Sequence, residues 1–402
     1  MSEQSSARMS IREWLPLLGI TVSAFIFNTS EFMPVGLLTD IGATFGTSEG
    51  TTGLIVSVYA WAVMLLSLPL MMLATRVPFR PLMLIVLGVF SAGQVLSALA
   101  ASYGMLMAAR LVVACAHSVF WAIAAPVAAR LVDAKHSAMA VSMVVTGSAL
   151  AMVVGLPLGR VIGLVMGWRQ TFACVAAVAL AVLAYLAFVF PRVDGAAVFT
   201  VRQLPALMHN KVLVGVFVIT ALYPMGYYTG YSYIEPFLLQ VGGMGEDVVT
   251  AALVVFGIAG LVGSFICTRF YTAKSVFFPC AVIAGVAVSL ALLLPAAAAL
   301  PLVFLVCVLW GMSGSGYSIV YQAKIIEVAD ESEQTVAMAI FSGIFNLGIG
   351  TGSFIGGAVC TYDTIAHVGL VGAFIAALAL AYCAFVLVPH MSARAKRTGD
   401  KA

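Results

Sequence analysis

The stretch AFIFNTSEFMPVGLLTD (24–40) sets a carboxylate, Glu31, inside an apolar run at 14–39, with Pro34 three residues further on. A run of that length spans the ~30 Å hydrocarbon core of a bilayer as a single helix. A charged side chain at such depth costs roughly 2.5–3.5 kcal/mol on insertion scales, and it is kept where it meets a partner or a wet cavity. The chain is therefore read as a membrane protein with a working acid in its first span, and Glu31 is the first candidate residue.

Working outward, the other apolar runs lie at 51–73, 81–100, 103–130, 138–165 and 170–191, then at 211–238, 248–267, 275–297, 300–325, 334–359 and 366–388. Runs this long and continuous are helices rather than the alternating strands of a membrane barrel. The expected fold is all-α, with twelve transmembrane helices. The longest interruption, 192–210, divides them six and six. This gives an N-terminal tail at 1–13, a first half at 14–191, a linker at 192–210, a second half at 211–388 and a C-terminal tail at 389–402.

The 402 residues are 63% hydrophobic and 9% charged, against ~25% charged in an average soluble protein. A formal charge of +3 without a basic patch gives no reason to expect nucleic acid. The seven cysteines show no metal-ligand spacing and read as small packing residues. All but three of the 19 lysines and arginines (Arg110, Arg160 and Arg169) fall on one side if both termini are cytoplasmic, as the positive-inside rule asks.

The halves echo each other. LATR at 73–76 is answered by ICTR at 266–269, Glu31 before Pro34 by Glu235 before Pro236, and VVTGSALAMVVG at 144–155 by IFSGIFNLGIG at 340–350. Two six-helix repeats about an axis along the membrane normal suit a carrier that alternates access by rocking one half against the other.

Ionisable residues inside the spans are few. Arg110 counts to a similar depth as Glu31, and His117, two turns further along span 4, shares its face. An imidazole can hold or pass a proton near neutral pH. Trp121 extends the stripe by one more turn. In span 7, Tyr223, Tyr227 and Tyr231 repeat every four residues and are followed by Glu235. Their hydroxyls and flat rings suit a sugar or an amphipathic organic molecule. Asn28, Gln322 and Asn346 are further candidate donors and acceptors. Span 5 carries Gly147, Gly155, Pro157, Gly159 and Gly163, and the last three glycines, recurring every four residues, make a smooth face for close helix contact. No phosphate loop and no nucleophile constellation is present, so neither an ATPase nor a membrane enzyme is expected, and no cofactor or metal is implied.

These motifs resemble the major facilitator superfamily in its drug/proton antiporter branch. MLATRVPFR (72–80) is similar to the family's loop 2–3 signature, keeping Arg76 and Arg80, although Thr75 stands where aspartate is usual and Pro78 where glycine is. Arg110 matches the arginine of the span 4 motif, and GSALAMVVGLPLG (147–159) resembles the span 5 antiporter motif, which implies efflux. More closely, the 24–41 string, CAHSVFW (115–121), GLPLGR (155–160), YSYIEPF (231–237) and FSGIFNLGIGTG (341–352) resemble bacterial sugar-efflux transporters that export arabinose and isopropyl thiogalactoside.

The resemblance implies proton-driven export of sugars or glycosides across the bacterial inner membrane by a monomeric, multi-pass carrier. Glu31, His117 and Arg110 would couple the proton. Asn28, Trp121, Tyr227, Tyr231, Glu235, Gln322 and Asn346 would bind substrate. The rival on the same fold is a multidrug/proton antiporter taking apolar compounds such as chloramphenicol.

Overall fold

In hydrocarbon a backbone N–H or C=O has no water to bond, so each apolar run must satisfy its own hydrogen bonds as a helix. The computed structural model describes residues 9–74, 77–192, 204–271, 276–329 and 333–392. Among the described residues there is no strand, and twelve helices are long and apolar enough to cross a membrane. Spans 1–6 are Ile11–Gly36, Glu49–Ala74, Phe79–Ala98, Tyr103–Arg130, Ser137–Met166 and Trp168–Val189. Spans 7–12 are Lys211–Gln240, Glu246–Phe270, Phe277–Ala296, Leu300–Val328, Val336–Tyr362 and Ile365–Ser392.

The chain forms two compact units. The first joins Met1–Met33 to Leu65–Phe199, and the second joins Pro34–Met64 to Thr200–Ala402. Within the first, span 1 packs on spans 5 and 6, and span 3 on spans 4 and 6; within the second, span 7 packs on spans 11 and 12, and span 9 on spans 10 and 12. The same pairing, displaced by six spans, is what a duplicated six-helix repeat produces.

Lipid tails are as apolar as leucine, so helices associate here through close packing, which small residues permit. In the first unit a Cβ added at Gly147 would run into the Thr21 carbonyl, and one at Gly155 into the Thr29 hydroxyl. In the second, Gly348 is pressed against Pro224 and Gly352 against the Met225 carbonyl. The two glycine-rich strings that echo each other in the sequence thus do the same work, seating span 5 on span 1 and span 11 on span 7.

Helix breaks follow from proline. Pro157 has no N–H to give its turn, and its ring crowds the carbonyl four residues back. Span 5 accommodates this by widening to a π-turn at Ala151–Gly155. Span 1 runs as an α-helix over Ile11–Phe32, tightens to a 3-10 turn at Met33–Gly36 around Pro34, and is followed by a short helix, Leu38–Phe45. Span 7 breaks likewise between Tyr231 and Ile234, just before Pro236.

The break in span 1 is also where the chain passes from one unit to the other. In the second unit the segment Pro34–Met64 lies against spans 7 and 11. Gln240 Nε2 donates to Glu49 Oε1 at 2.7 Å, Gly50 abuts Gly357, and Trp61 Nε1 donates to Thr351 Oγ1 at 3.3 Å.

Candidate functional site

In the first unit the Phe27 ring is clamped between Phe90 at 3.9 Å and Phe120 at 4.2 Å, which fixes the rotation of span 1 against spans 3 and 4. That rotation turns Asn28, Ser30 and Glu31 inward, all less than a tenth exposed. Glu31 Oε2 lies 3.7 Å from His117 Nε2, and His117 is itself buried. At this separation the pair interacts through charge rather than through a direct hydrogen bond.

Arg110, also buried, donates from Nη1 to Ser30 Oγ at 3.1 Å, and Gln94 donates its amide N–H to the same oxygen. A serine oxygen has two lone pairs, so Ser30 can receive both donors and hold the guanidinium beside the acid's own turn of helix. Trp121, half-buried, has its ring 6.1 Å from the imidazole. Asn28 Nδ2 donates to the Ser148 carbonyl at 3.2 Å and to its hydroxyl at 2.5 Å. Glu31, Arg110, His117, Trp121 and Asn28, all singled out from the sequence, therefore gather in one region of one unit. An acid, an imidazole and a guanidinium in a nonpolar surround are a set that can take up, hold and give back a proton.

The second unit is built differently. Tyr223, Tyr227 and Tyr231 form a column with successive ring centroids 6.0 and 5.2 Å apart. Tyr223 lies flat on Tyr317 at 3.8 Å, Tyr317 on Tyr321 at 4.6 Å, and Trp310 meets Tyr227 edge-on at 5.6 Å. All are buried, and they form the aromatic core of this unit.

Among the described residues the Tyr223 hydroxyl and the Trp310 indole N–H have no hydrogen-bond partner, whereas Tyr317 donates to Thr220 Oγ1 at 3.0 Å. Asn346 is buried in span 11 and Gln322 half-buried in span 10. Glu235, 1% exposed, sits beyond the break in span 7 and accepts from the Thr39 N–H at 3.3 Å and the Thr39 hydroxyl at 3.0 Å. It therefore pins the short helix after span 1.

Of the span 2–3 motif, Arg76 lies outside the described residues, and Arg80 donates to the Ala187 carbonyl at 2.8 Å, tying span 3 to span 6. Gly159 packs near Met33 and Thr171, and Pro157 follows the π-turn. Glu13, Asp133 and His136 bring three potential metal ligands within 4.8 Å. Both oxygens of Glu13 already accept, one from the Asp133 N–H and the other from Ser10, so the cluster fastens a loop.

Sequence reasoning missed Ser30, Gln94, Trp61 and Trp310. Gln94 carried a signal, as an amide in the middle of an apolar span.

A family model described as Major Facilitator Superfamily matches residues 20–321 and 248–402. Two solved structures of a bacterial homologue of the human lysosomal transporter Spinster are similar to this chain. The inward-facing, unoccupied form aligns with a TM-score of 0.78 at 15% identity, covering 96% of this chain and 98% of that one. The inward-facing, occupied form aligns with a TM-score of 0.75 at 16% identity, covering 92% and 96%. At such identity the likeness speaks for the fold.

Proposed function

The chain belongs to the major facilitator superfamily, and from that premise we propose that it is a proton-coupled secondary transporter that exports sugars or glycosides from the cytoplasm. The observation that carries the reading is the buried pair of Glu31 and His117, with Arg110 held on Ser30 beside them. A carrier without a nucleotide site must draw on a gradient, and a desolvated acid next to an imidazole is a means of drawing on protons.

In the proposed cycle Glu31 gives up its proton to the cytoplasm as substrate binds, and takes one from the outside as substrate leaves. Proton entry is thus coupled to sugar departure. His117 receives or relays that proton, and Arg110 steadies the carboxylate when it is charged. In the first unit Asn28 and Trp121, and in the second, taken by itself, Tyr227, Tyr231, Gln322 and Asn346, offer amide, hydroxyl and ring surfaces that suit a neutral polyol. The charge distribution along the chain favours both termini in the cytoplasm, and the bacterial inner membrane is what the resemblance implies.

The second reading, export of apolar compounds such as chloramphenicol, is favoured by the aromatic column from Tyr223 to Tyr231. Proteoliposomes with an imposed pH gradient, offered arabinose, isopropyl thiogalactoside and chloramphenicol in parallel, distinguish the two. Gradient-driven movement of the sugars alone supports the proposal. Movement of chloramphenicol alone assigns the chain to the rival, and gradient-independent movement removes the proton from the mechanism.

A further inference from the structure

Cys280 and Cys383 stand 103 residues apart in the chain, and the second unit brings their sulfurs to 3.5 Å of each other. Their spans, 9 and 12, pack directly, with Gly369 of span 12 close against the Leu290 carbonyl of span 9. Cys280 is half-buried and lies within one turn of Phe277, where the helix of span 9 starts. Cys383 is fully buried and opens the π-turn Cys383–Leu387 in span 12.

The hydrogen bonds around the pair have only one consistent direction. The Tyr321 hydroxyl lies 3.1 Å from the Pro279 carbonyl and 3.4 Å from Cys383 Sγ. A carbonyl only accepts and a phenol has one proton, so the Tyr321 O–H goes to Pro279 and the Cys383 S–H is the donor to Tyr321. That proton is then committed, and the bond between the two sulfurs is donated by Cys280. Cys383 therefore turns a lone pair toward Cys280 Sγ. A shielded sulfur aimed at a more accessible thiol is the arrangement of a resolving cysteine beside an oxidisable one. Sulfurs already in contact need only a small side-chain rotation to bond, and the widened turn at Cys383 gives that rotation room.

We propose that Cys280 and Cys383 form an oxidation site, converted to a disulfide by a hydroperoxide. The Cys280 sulfur attacks the outer peroxide oxygen and the O–O bond breaks. Cys280 becomes a sulfenic acid, and the rest of the peroxide leaves as an alcohol with the Cys280 proton. The Cys383 sulfur then attacks the Cys280 sulfur, the S–O bond breaks, and the hydroxide leaves as water with the Cys383 proton. The two sulfurs together give up two electrons, which the peroxide receives. The new bond ties span 9 to span 12 and takes from Tyr321 the S–H that it accepts. Tyr321 stacks on Tyr317, and Tyr317 on Tyr223, so the change reaches the end of the aromatic core. The site does not depend on which molecule is carried.

The test uses the full-length protein, fully reduced and then exposed to tert-butyl hydroperoxide, with maleimide labelling of free thiols and peptide mapping without reductant. Two of the seven thiols are expected to be lost together, to appear in one Cys280–Cys383 linked peptide, and to return with dithiothreitol. In Cys383→Ser the linked peptide is absent and dimedone captures Cys280 as its sulfenic acid. In Cys280→Ser, Cys383 stays reduced. The wild-type map decides by itself should a serine variant fold poorly. A wild type in which Cys280 and Cys383 stay reduced, or are oxidised without bonding to each other, overturns the proposal. So does capture of Cys280 by dimedone to the same extent in wild type and Cys383→Ser.

Discussion

Span 1 and span 7 hold the same place in their respective units, each seated on the fifth and sixth helices of its own half through glycines that let backbones touch. What they carry differs. Span 1 presents an acid to an imidazole, with a serine beside it that receives an arginine and a glutamine. Span 7 presents a column of tyrosines to a tryptophan and two more tyrosines. A duplicated scaffold keeps its backbone contacts, because those set the pairing of helices, and is free to change the side chains between them. Under the proposed function, the acid, imidazole and guanidinium of the first unit handle the proton, and the aromatic column of the second lends ring surface to the substrate.

That division can be broken at its strongest point. Glu31→Gln keeps the size of the side chain and removes the titrating group. Transport driven by a pH gradient should fall to background, while exchange of labelled for unlabelled substrate, which needs no net proton movement, should persist. Loss of both would mean that Glu31 holds the substrate or the fold instead.

A second break acts on the other unit. Trp310 is fully buried against Tyr227, Tyr231 and Phe256, so Trp310→Ala should destabilise the protein by about 3–5 kcal/mol. This is read as an early melting transition in detergent, with proton uptake by the residual folded fraction intact. The finest cut compares two neighbouring hydroxyls. Tyr317→Phe removes a bond to Thr220 and should cost about 0.6 kcal/mol. Tyr223→Phe removes a hydroxyl that has no partner among the described residues and should leave melting unchanged or slightly raised.

The sequence made the membrane architecture readable because each span is a run of apolar residues with its own caps and breaks, and no knowledge of neighbours is needed to see it. Glu31, Arg110 and His117 were readable for a related reason: an ionisable group in hydrocarbon is costly enough to stand out singly. Ser30, Gln94, Trp61 and Trp310 did not stand out. A serine or a tryptophan in a span costs little, and its role appears only once the pairing of helices is known. Ser30 matters because Arg110 and Gln94 both reach it, and nothing in the spacing from 30 to 94 to 110 says so. Glu235 stood out by its depth, whereas its contact with Thr39, set up by the break at Pro34, did not. The π-turn in span 5 was latent in Pro157, yet a proline alone does not say whether a helix kinks, ends or widens.

The central claim is that ionisation of Glu31 is tied to occupation by substrate. The most direct measurement is the pH change on adding isopropyl thiogalactoside to purified protein in weakly buffered solution. The account predicts that the wild type releases protons in proportion to bound glycoside and that Glu31→Gln binds the glycoside silently. Equal release from both proteins would contradict it.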